Sequence, residues 1–225
     1  QQATSYRFDM DLLMTLSGAD IGEDTEMPMH FVGDVQPPDT IQGTLTLSVD
    51  GVDVETQVVR VDGTTYVTNP LTKKWIIDNT QSTTLFNPED LVMDPADVEE
   101  LELLGEETVE GTPVYHLTGR TRLPFSFAEP LGDVETDMLV NYWVSQKDLR
   151  IVRSAAEGDI DFGQVDASAT VSMTMRVFDY DVPMEIAAPE MASTTSISVT
   201  GVGPITIAAT SLAPLESDTP EGHVQ

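Results

Sequence analysis

The sequence contains no cysteine, which excludes disulfides, thiolate metal centres and thiol nucleophiles within its 225 residues. This absence does not fix the compartment, because many exported proteins have no disulfide. Long apolar runs are absent too, since no window approaches the ~18 apolar residues that a membrane-spanning helix requires. The length suffices for one large domain, or for one domain with a tail.

Basic residues are scarce. Lys and Arg number 10 against 39 Asp and Glu, which gives a net charge of −29. Nucleic-acid binding needs a basic surface, and so does docking on anionic headgroups, so we expect neither. Self-repulsion predicts a soluble monomer. A salty environment or a general need for solubility explains this charge better than an acidic binding site does.

Recognisable catalytic motifs are missing as well. The three histidines, His30, His116 and His223, show no pairing at i, i+4, so a catalytic zinc site has little support. His116 alternates with strand residues and is interpreted as structural. No nucleophile elbow or P-loop occurs, and Gly201–Gly203 lacks the third glycine of a dinucleotide fingerprint. We therefore predict a protein that is not an enzyme and that holds no cofactor or metal.

The many carboxylates leave two less favoured functions open, a calcium site and an enzyme that uses a pair of carboxylates. Asp159 and Asp161, with Asp166 further on, form the best calcium candidate, but they depart from EF-hand spacing and lack its closing Glu. A solvated loop between two strands explains them better. An enzyme with scattered carboxylates would need a convergent pair with perturbed pKa values inside a cavity.

Period-two alternation dominates what is present. Tyr6, Phe8, Met10 and Leu12 share one face of the first strand, which continues through Met14 and Leu16. Asp50-Gly51 and Asp62-Gly63 predict tight hairpin turns. This pattern is a meander typical of a barrel or sandwich, with further strands at 41–49, 52–58, 64–68, 73–78, 112–122, 136–145, 149–157 and 167–180.

One segment departs from this alternation. Asn87-Pro88-Glu89-Asp90 has a helix cap, a proline at the first helical position and acids beside the dipole. Asp94–Asp97 repeats these features. They predict two short helices with a kink at Asp94, which end at Leu104 because Gly105 is a good C-terminal stop.

The apolar face of the sheet is the candidate binding site. Methionine is adaptable and suits irregular cavities, although the same side chains could simply fill a core. A single strongly curved sheet with one helical pair has little material to fill its concave side, so we predict an apolar pocket there. The predicted cavity residues are Phe8, Met10, Leu12, Met14, Leu45, Leu47, Val54, Val58, Trp75, Leu91, Val98, Leu101, Val140, Tyr142, Val171, Met173 and Met175.

Several stretches carry a family resemblance that covers roughly residues 5–190. The chain resembles LolA/LolB-like lipoprotein carriers, and especially the LppX/LprG type, at 85–91, 101–119, 63–67 with Lys74-Trp75, 140–144, 149–151, 178–183 and 186–189. The resemblance implies a mainly β fold: an unclosed antiparallel β half-barrel with helices over its concave side and a cavity for acyl chains. It also implies a lipid anchor on a cysteine upstream, and no catalytic residues.

Our first hypothesis is therefore an extracytoplasmic, membrane-anchored cell-envelope lipoprotein that binds or carries lipids or acylated molecules. Gln1–Thr4 resembles the start of a segment processed after export. Residues 1–190 would form the half-barrel, and residues 191–225 an extension with a hairpin or a flexible tail. The alternative is a non-enzymatic interaction or sensor module with a plugged cavity, whose partners bind the acidic rim. Cavity volume distinguishes these two hypotheses.

Overall fold

The computed structural model describes residues 3–18, 24–49, 51–78, 98–121, 135–161 and 167–191, which form one sheet of eleven strands. The strands are β1 (Tyr6–Gly18), β2 (Thr25–Gln36), β3 (Thr40–Val49), β4 (Val52–Val61), β5 (Thr64–Thr68), β6 (Trp75–Ile77), β7 (Glu99–Val109), β8 (Thr112–Thr121), β9 (Glu135–Ser145), β10 (Ile151–Asp161) and β11 (Ala167–Phe178). Every neighbouring pair is antiparallel.

The order of the strands across the sheet is β6-β5-β4-β3-β2-β1-β11-β10-β9-β8-β7. The chain runs outward from the middle to β6, resumes at the opposite edge with β7 and returns to the middle. The first and last strands therefore pair at the centre, and β6 and β7 form two separate edges. This arrangement confirms the predicted mainly β, antiparallel and unclosed sheet.

Alternation along β1 separates two faces of this sheet. Tyr6, Phe8 and Met10 are buried, whereas the intervening Arg7 and Asp9 are only half-buried. We call the face that carries Phe8 the inner face and the opposite one the outer face. A period of two places side chains on alternate faces, so cross-strand register assigns each residue of the sheet to one of them.

Tight turns connect several strands as the sequence predicts. Asp62 and Gly63 have φ angles of 52° and 72°, so both central residues are left-handed, as a type I′ hairpin requires. Glu110 and Gly111 join β7 to β8 in the same way, with φ angles of 50° and 84°. The Asp62-Gly63 prediction is confirmed, and Asp50 lies outside the described residues.

The helical prediction is wrong for Glu99 to Leu104. Residues 79–97, which include Leu91 and most of the predicted helical pair, lie outside the described residues. From Glu99 onward the chain is strand β7, and Gly105 lies within it. The i, i+3 spacing of Val98, Leu101 and Leu104 is accommodated by irregular pairing with β8, whose register shifts twice. Cross-strand hydrogen bonding to β8, which the Glu110-Gly111 turn brings alongside β7, therefore overrides the local helical pattern.

Strand β2 was not predicted from the sequence. Pro28 and Gly33 interrupt its apolar residues, and both residue types are depleted in strands. The available signal was the alternation of Met27, Met29, Phe31 and, after Gly33, Val35. All of these side chains share the inner face with their β1 partners.

Two glycines allow the aromatic core to pack closely against the backbone. Gly33 on β2 lies opposite Gly43 on β3. A Cβ added at Gly43 would approach the Val32 carbonyl oxygen to 2.5 Å and the Phe31 ring to 2.7 Å. The Phe31 ring in turn packs edge-on against Phe8, with 4.9 Å between ring centroids. An aromatic ring thus occupies the space that the missing side chain leaves free.

Replacing Gly43 by alanine is expected to lower the free energy of unfolding by about 1–3 kcal/mol, because the new methyl group overpacks this contact. Denaturant unfolding measures the change. Ser168→Ala, at an exposed position of β11, serves as the control and should stay within about 0.5 kcal/mol of the parent protein. Equal stability of the two variants would contradict this role of Gly43.

A polar clasp joins the two ends of this domain. The Asp181 carboxylate accepts hydrogen bonds from the Thr4 amide at 2.8 Å, from the Thr4 hydroxyl at 3.0 Å and from the Arg150 guanidinium. The Asp181 amide donates to the Ser5 carbonyl at 2.9 Å. Led by the Thr4 amide, these donors lower the pKa of Asp181 from 3.8 to about 2. The carboxylate form is therefore favoured in the folded protein.

A carboxyl group with a lowered pKa stabilises the fold above its unfolded-state pKa, and that contribution disappears as the pH falls through the folded-state pKa. For Asp181 this interval runs from 3.8 down to about 2. We expect Asp181→Asn to reduce stability above this interval and to flatten the fall of the unfolding midpoint within it. Thermal unfolding at several pH values measures both effects. Glu157→Gln, an exposed change on β10, should retain the slope of the parent, and an unchanged slope in Asp181→Asn would refute the clasp.

The chain divides into two units, Gln1–Ala192 and Ser193–Gln225. The second unit lies outside the described residues, so the predicted boundary at residue 190 and the extension beyond it stay predictions. The described part of the chain contains no helix long and apolar enough to cross a bilayer.

Candidate functional site

The inner face carries two buried clusters. Cluster A is composed of Tyr6, Phe8, Met10, Phe31, Val35, Ile41, Val58, Met175 and Val177. Burial raises the pKa of Tyr6 in this cluster to about 12. Cluster B is composed of Met138, Val140, Tyr142, Ala156, Ile160, Ala169 and Val171. Both clusters are packed as a protein core is.

Burial decreases along the inner face. On β1, Phe8 is fully buried and Met10 is 8% exposed, but Leu12, Met14 and Leu16 are only half-buried. The same change occurs along β2, β3 and β4, whereas on β11 Met173 is half-buried between the buried Val171 and Met175. We call the half-buried set the methionine-rich region; its members are Leu12, Met14, Leu16, Met27, Met29, Leu45, Leu47, Val54 and Met173.

Cross-strand register organises this region into rows. Leu12 lies opposite Met29 on one side and Met173 on the other, and Met29 lies opposite Leu47, which faces Val54. Five strands thus contribute one continuous apolar row across the middle of the sheet. Directly opposed side chains are in contact distance, so the row presents an unbroken hydrocarbon surface.

Most of the predicted cavity residues lie on the inner face. Seven of them are buried in clusters A and B: Phe8, Met10, Val58, Val140, Tyr142, Val171 and Met175. Six belong to the methionine-rich region: Leu12, Met14, Leu45, Leu47, Val54 and Met173. Val98 packs against cluster B, and Leu101 is 40% exposed on β7. Phe31, Met27 and Met29 were missed because β2 was missed.

Trp75 was predicted to line the cavity with the other inner-face residues, and the structure corrects this prediction. Trp75 pairs with Thr68, whereas the next residue, Ile76, pairs with the inner-face residue Val67. Trp75 therefore faces outward, where it lines a groove of about 540 Å³ together with Val59 and Phe178. The alternation of this strand was predicted, but pairing register decides which set of side chains faces inward.

The second tryptophan also lies on the outer face. The Trp143 ring stacks on His116 at 4.5 Å and is covered from the other side by the Arg153 guanidinium at 4.7 Å. The Trp143 Nε1 donates to Glu107 at 3.1 Å, and His116 Nδ1 lies 2.8 Å from the same carboxylate. Hydrogen bonds from His116 and then Trp143 lower the pKa of Glu107. These contacts support the structural role that the sequence predicts for His116.

The sequence model of the LppX_LprAFG lipoprotein family matches residues 3–186. The chain belongs to this family. The match covers the whole described sheet and confirms the family resemblance. No curated protein matches the sequence.

Solved structures of this family and of the LolA superfamily are similar to the chain. Lipoprotein LppX of Mycobacterium tuberculosis is 16% identical, with a TM-score of 0.47 over 82% of this chain and 90% of the other. LprF of Mycobacterium bovis is 13% identical, with a TM-score of 0.41 over 81% and 90%. A LolA superfamily protein of Nitrosomonas europaea is 10% identical, with a TM-score of 0.36 over 79% and 87%.

Proposed function

We propose that this lipoprotein-family member binds lipids or acylated molecules, and that the methionine-rich region of the inner face contacts their acyl chains. The observation that carries the proposal is the half-buried apolar row from Val54 through Leu12 to Met173. A core would bury such side chains fully, as clusters A and B do. An apolar surface held partly open is suited to a hydrocarbon ligand.

The energy available for such binding is large. Burial of an acyl chain contributes about 0.8 kcal/mol per methylene, so one long chain supplies on the order of 10 kcal/mol. Methionine side chains are flexible and polarizable, and they adapt to chains of different shape. Affinity would therefore come from hydrocarbon burial, and polar contacts would set headgroup preference.

The location we propose is extracytoplasmic, at the cell envelope, with an N-terminal lipid anchor upstream of the sequence. Membership of a lipoprotein family supports this location. The excess of acidic over basic residues favours a single chain in solution, because like-charged copies repel one another. A non-enzymatic binding role is consistent with the family.

A second candidate is a surface interaction or sensor module. Clusters A and B are fully packed, which favours an inner face that is filled by its own side chains. Partners of such a module would bind the acidic surface and dissociate as salt rises.

A negative charge on the inner face should weaken acyl binding. Met14 and Leu13 are adjacent on β1 but lie on opposite faces. We expect Met14→Asp to weaken uptake of a fluorescent fatty acid at least tenfold, because a carboxylate would have to be buried against hydrocarbon. The matched change Leu13→Asp on the outer face should leave uptake unchanged.

Organic extraction of purified protein, followed by mass spectrometry, provides the second measurement. Protein made in a lipid-containing host should release a lipid, and Met14→Asp should release less of it than Leu13→Asp. A clean extract from the parent protein, together with no fatty-acid uptake, would favour the interaction module instead. Circular dichroism checks that both variants remain folded.

The tryptophans report which face binds. Both Trp75 and Trp143 lie on the outer face, and bromine quenches indole fluorescence at short range. We expect a fatty acid brominated in mid-chain to bind with weak quenching of both tryptophans. Strong quenching that disappears in Trp75→Phe would instead place the chain in the outer groove and would rule out the inner-face site.

A further inference from the structure

Two carboxylates and an imidazole converge on the outer face of the central strands. Asp9 and Asp11 lie two residues apart on β1, and His30 lies opposite Asp11 on β2. His30 Nδ1 is 2.9 Å from Asp11 Oδ1 and 3.7 Å from Asp9 Oδ1. The three potential ligand atoms all lie within 4.8 Å of one another. One imidazole nitrogen thus faces both carboxylates.

Four arginines of the described residues pair with other carboxylates. Arg7 pairs with Asp34 and Asp179, Arg120 with Asp137, Arg150 with Asp181, and Arg176 with Glu110. Arg176 lies opposite Asp9 in the β1–β11 register, yet its guanidinium donates to Glu110. Within the described part of the chain, the imidazole of His30 is the group that lies beside both Asp9 and Asp11.

We propose that Asp9, Asp11 and His30 bind a divalent transition-metal ion of the Zn²⁺ class. Ligand atoms about 2.1 Å from one ion lie within about 4.2 Å of one another, so small side-chain rotations suffice. Two carboxylates balance the charge of the ion, and neutral His30 supplies Nδ1. An imidazole ligand favours Zn²⁺, Co²⁺ or Ni²⁺ over Mg²⁺ and Ca²⁺.

The strands fix the backbone beneath these ligands before any ion arrives. β1 is paired along most of its length with both β2 and β11, so the backbone under Asp9 and Asp11 is fixed on both sides. Preorganised ligands on rigid elements need little reordering. Asp9, Asp11 and His30 are 35%, 78% and 44% exposed at their side chains, which leaves the remaining coordination positions to water or to a ligand from solution.

This site is independent of lipid binding because it lies on the opposite face from Leu12 and Met14. Its test is calorimetric titration of the full chain with Zn²⁺, in parallel with His30→Gln and Asp11→Asn. We expect one binding event that weakens tenfold or more in each variant, since loss of even an outer-shell partner costs about 10–100-fold in metal affinity. Mg²⁺ at the same concentration should not displace Zn²⁺.

Matched controls separate this site from diffuse attraction to an acidic surface. Asp159→Asn makes the same change of charge on the outer face of β10, and His223→Gln removes another histidine. Both controls should bind Zn²⁺ as the parent does. Zn²⁺ should also raise the melting temperature of the parent and the controls but not of His30→Gln. Unchanged affinity in His30→Gln, or equal weakening in Asp159→Asn, would overturn the proposal.

Discussion

The pairing of β1 with β11 is the constraint on which the rest of the sheet depends. It joins residues at opposite ends of the domain, from Arg7 with Phe178 to Gly18 with Ala167. Each half of the described sheet is a simple meander that could form locally, and this pairing joins the two halves into one sheet. A slip of one residue would exchange the inner and outer faces of one half relative to the other.

The polar clasp reinforces this pairing at one end. Asp181 holds Thr4 directly beside the start of β1 and the end of β11. Cluster A lies at the same end of the inner face, where Tyr6 and Val177 are buried. The methionine-rich region lies further along β1, away from the clasp. The inner face therefore combines two fully buried clusters with an apolar surface that stays partly accessible, and this contrast is the basis of the proposed lipid site.

Much of the fold was predictable because its main signal is local. Alternation in β1 and β11 predicts which side chains share a face, and left-handed Asp-Gly pairs predict hairpin turns. The failures have physical causes that a linear sequence does not display. β7 is a strand because β8 pairs with it, and Trp75 faces outward because of the register with β5. The convergence of Asp9, Asp11 and His30 likewise depends on the pairing of β1 with a strand that was missed.

The acidity of β7 has a consequence for how copies of this protein meet. Among the described residues, β7 pairs on one side only and exposes Leu103 and Leu104. An open strand edge with apolar side chains invites pairing with another chain. Glu99, Glu100 and Glu102 place negative charge along this edge, so two copies repel each other before their backbones can bond. Conditions that neutralise or screen these carboxylates thus convert a protected edge into a starting point for aggregation.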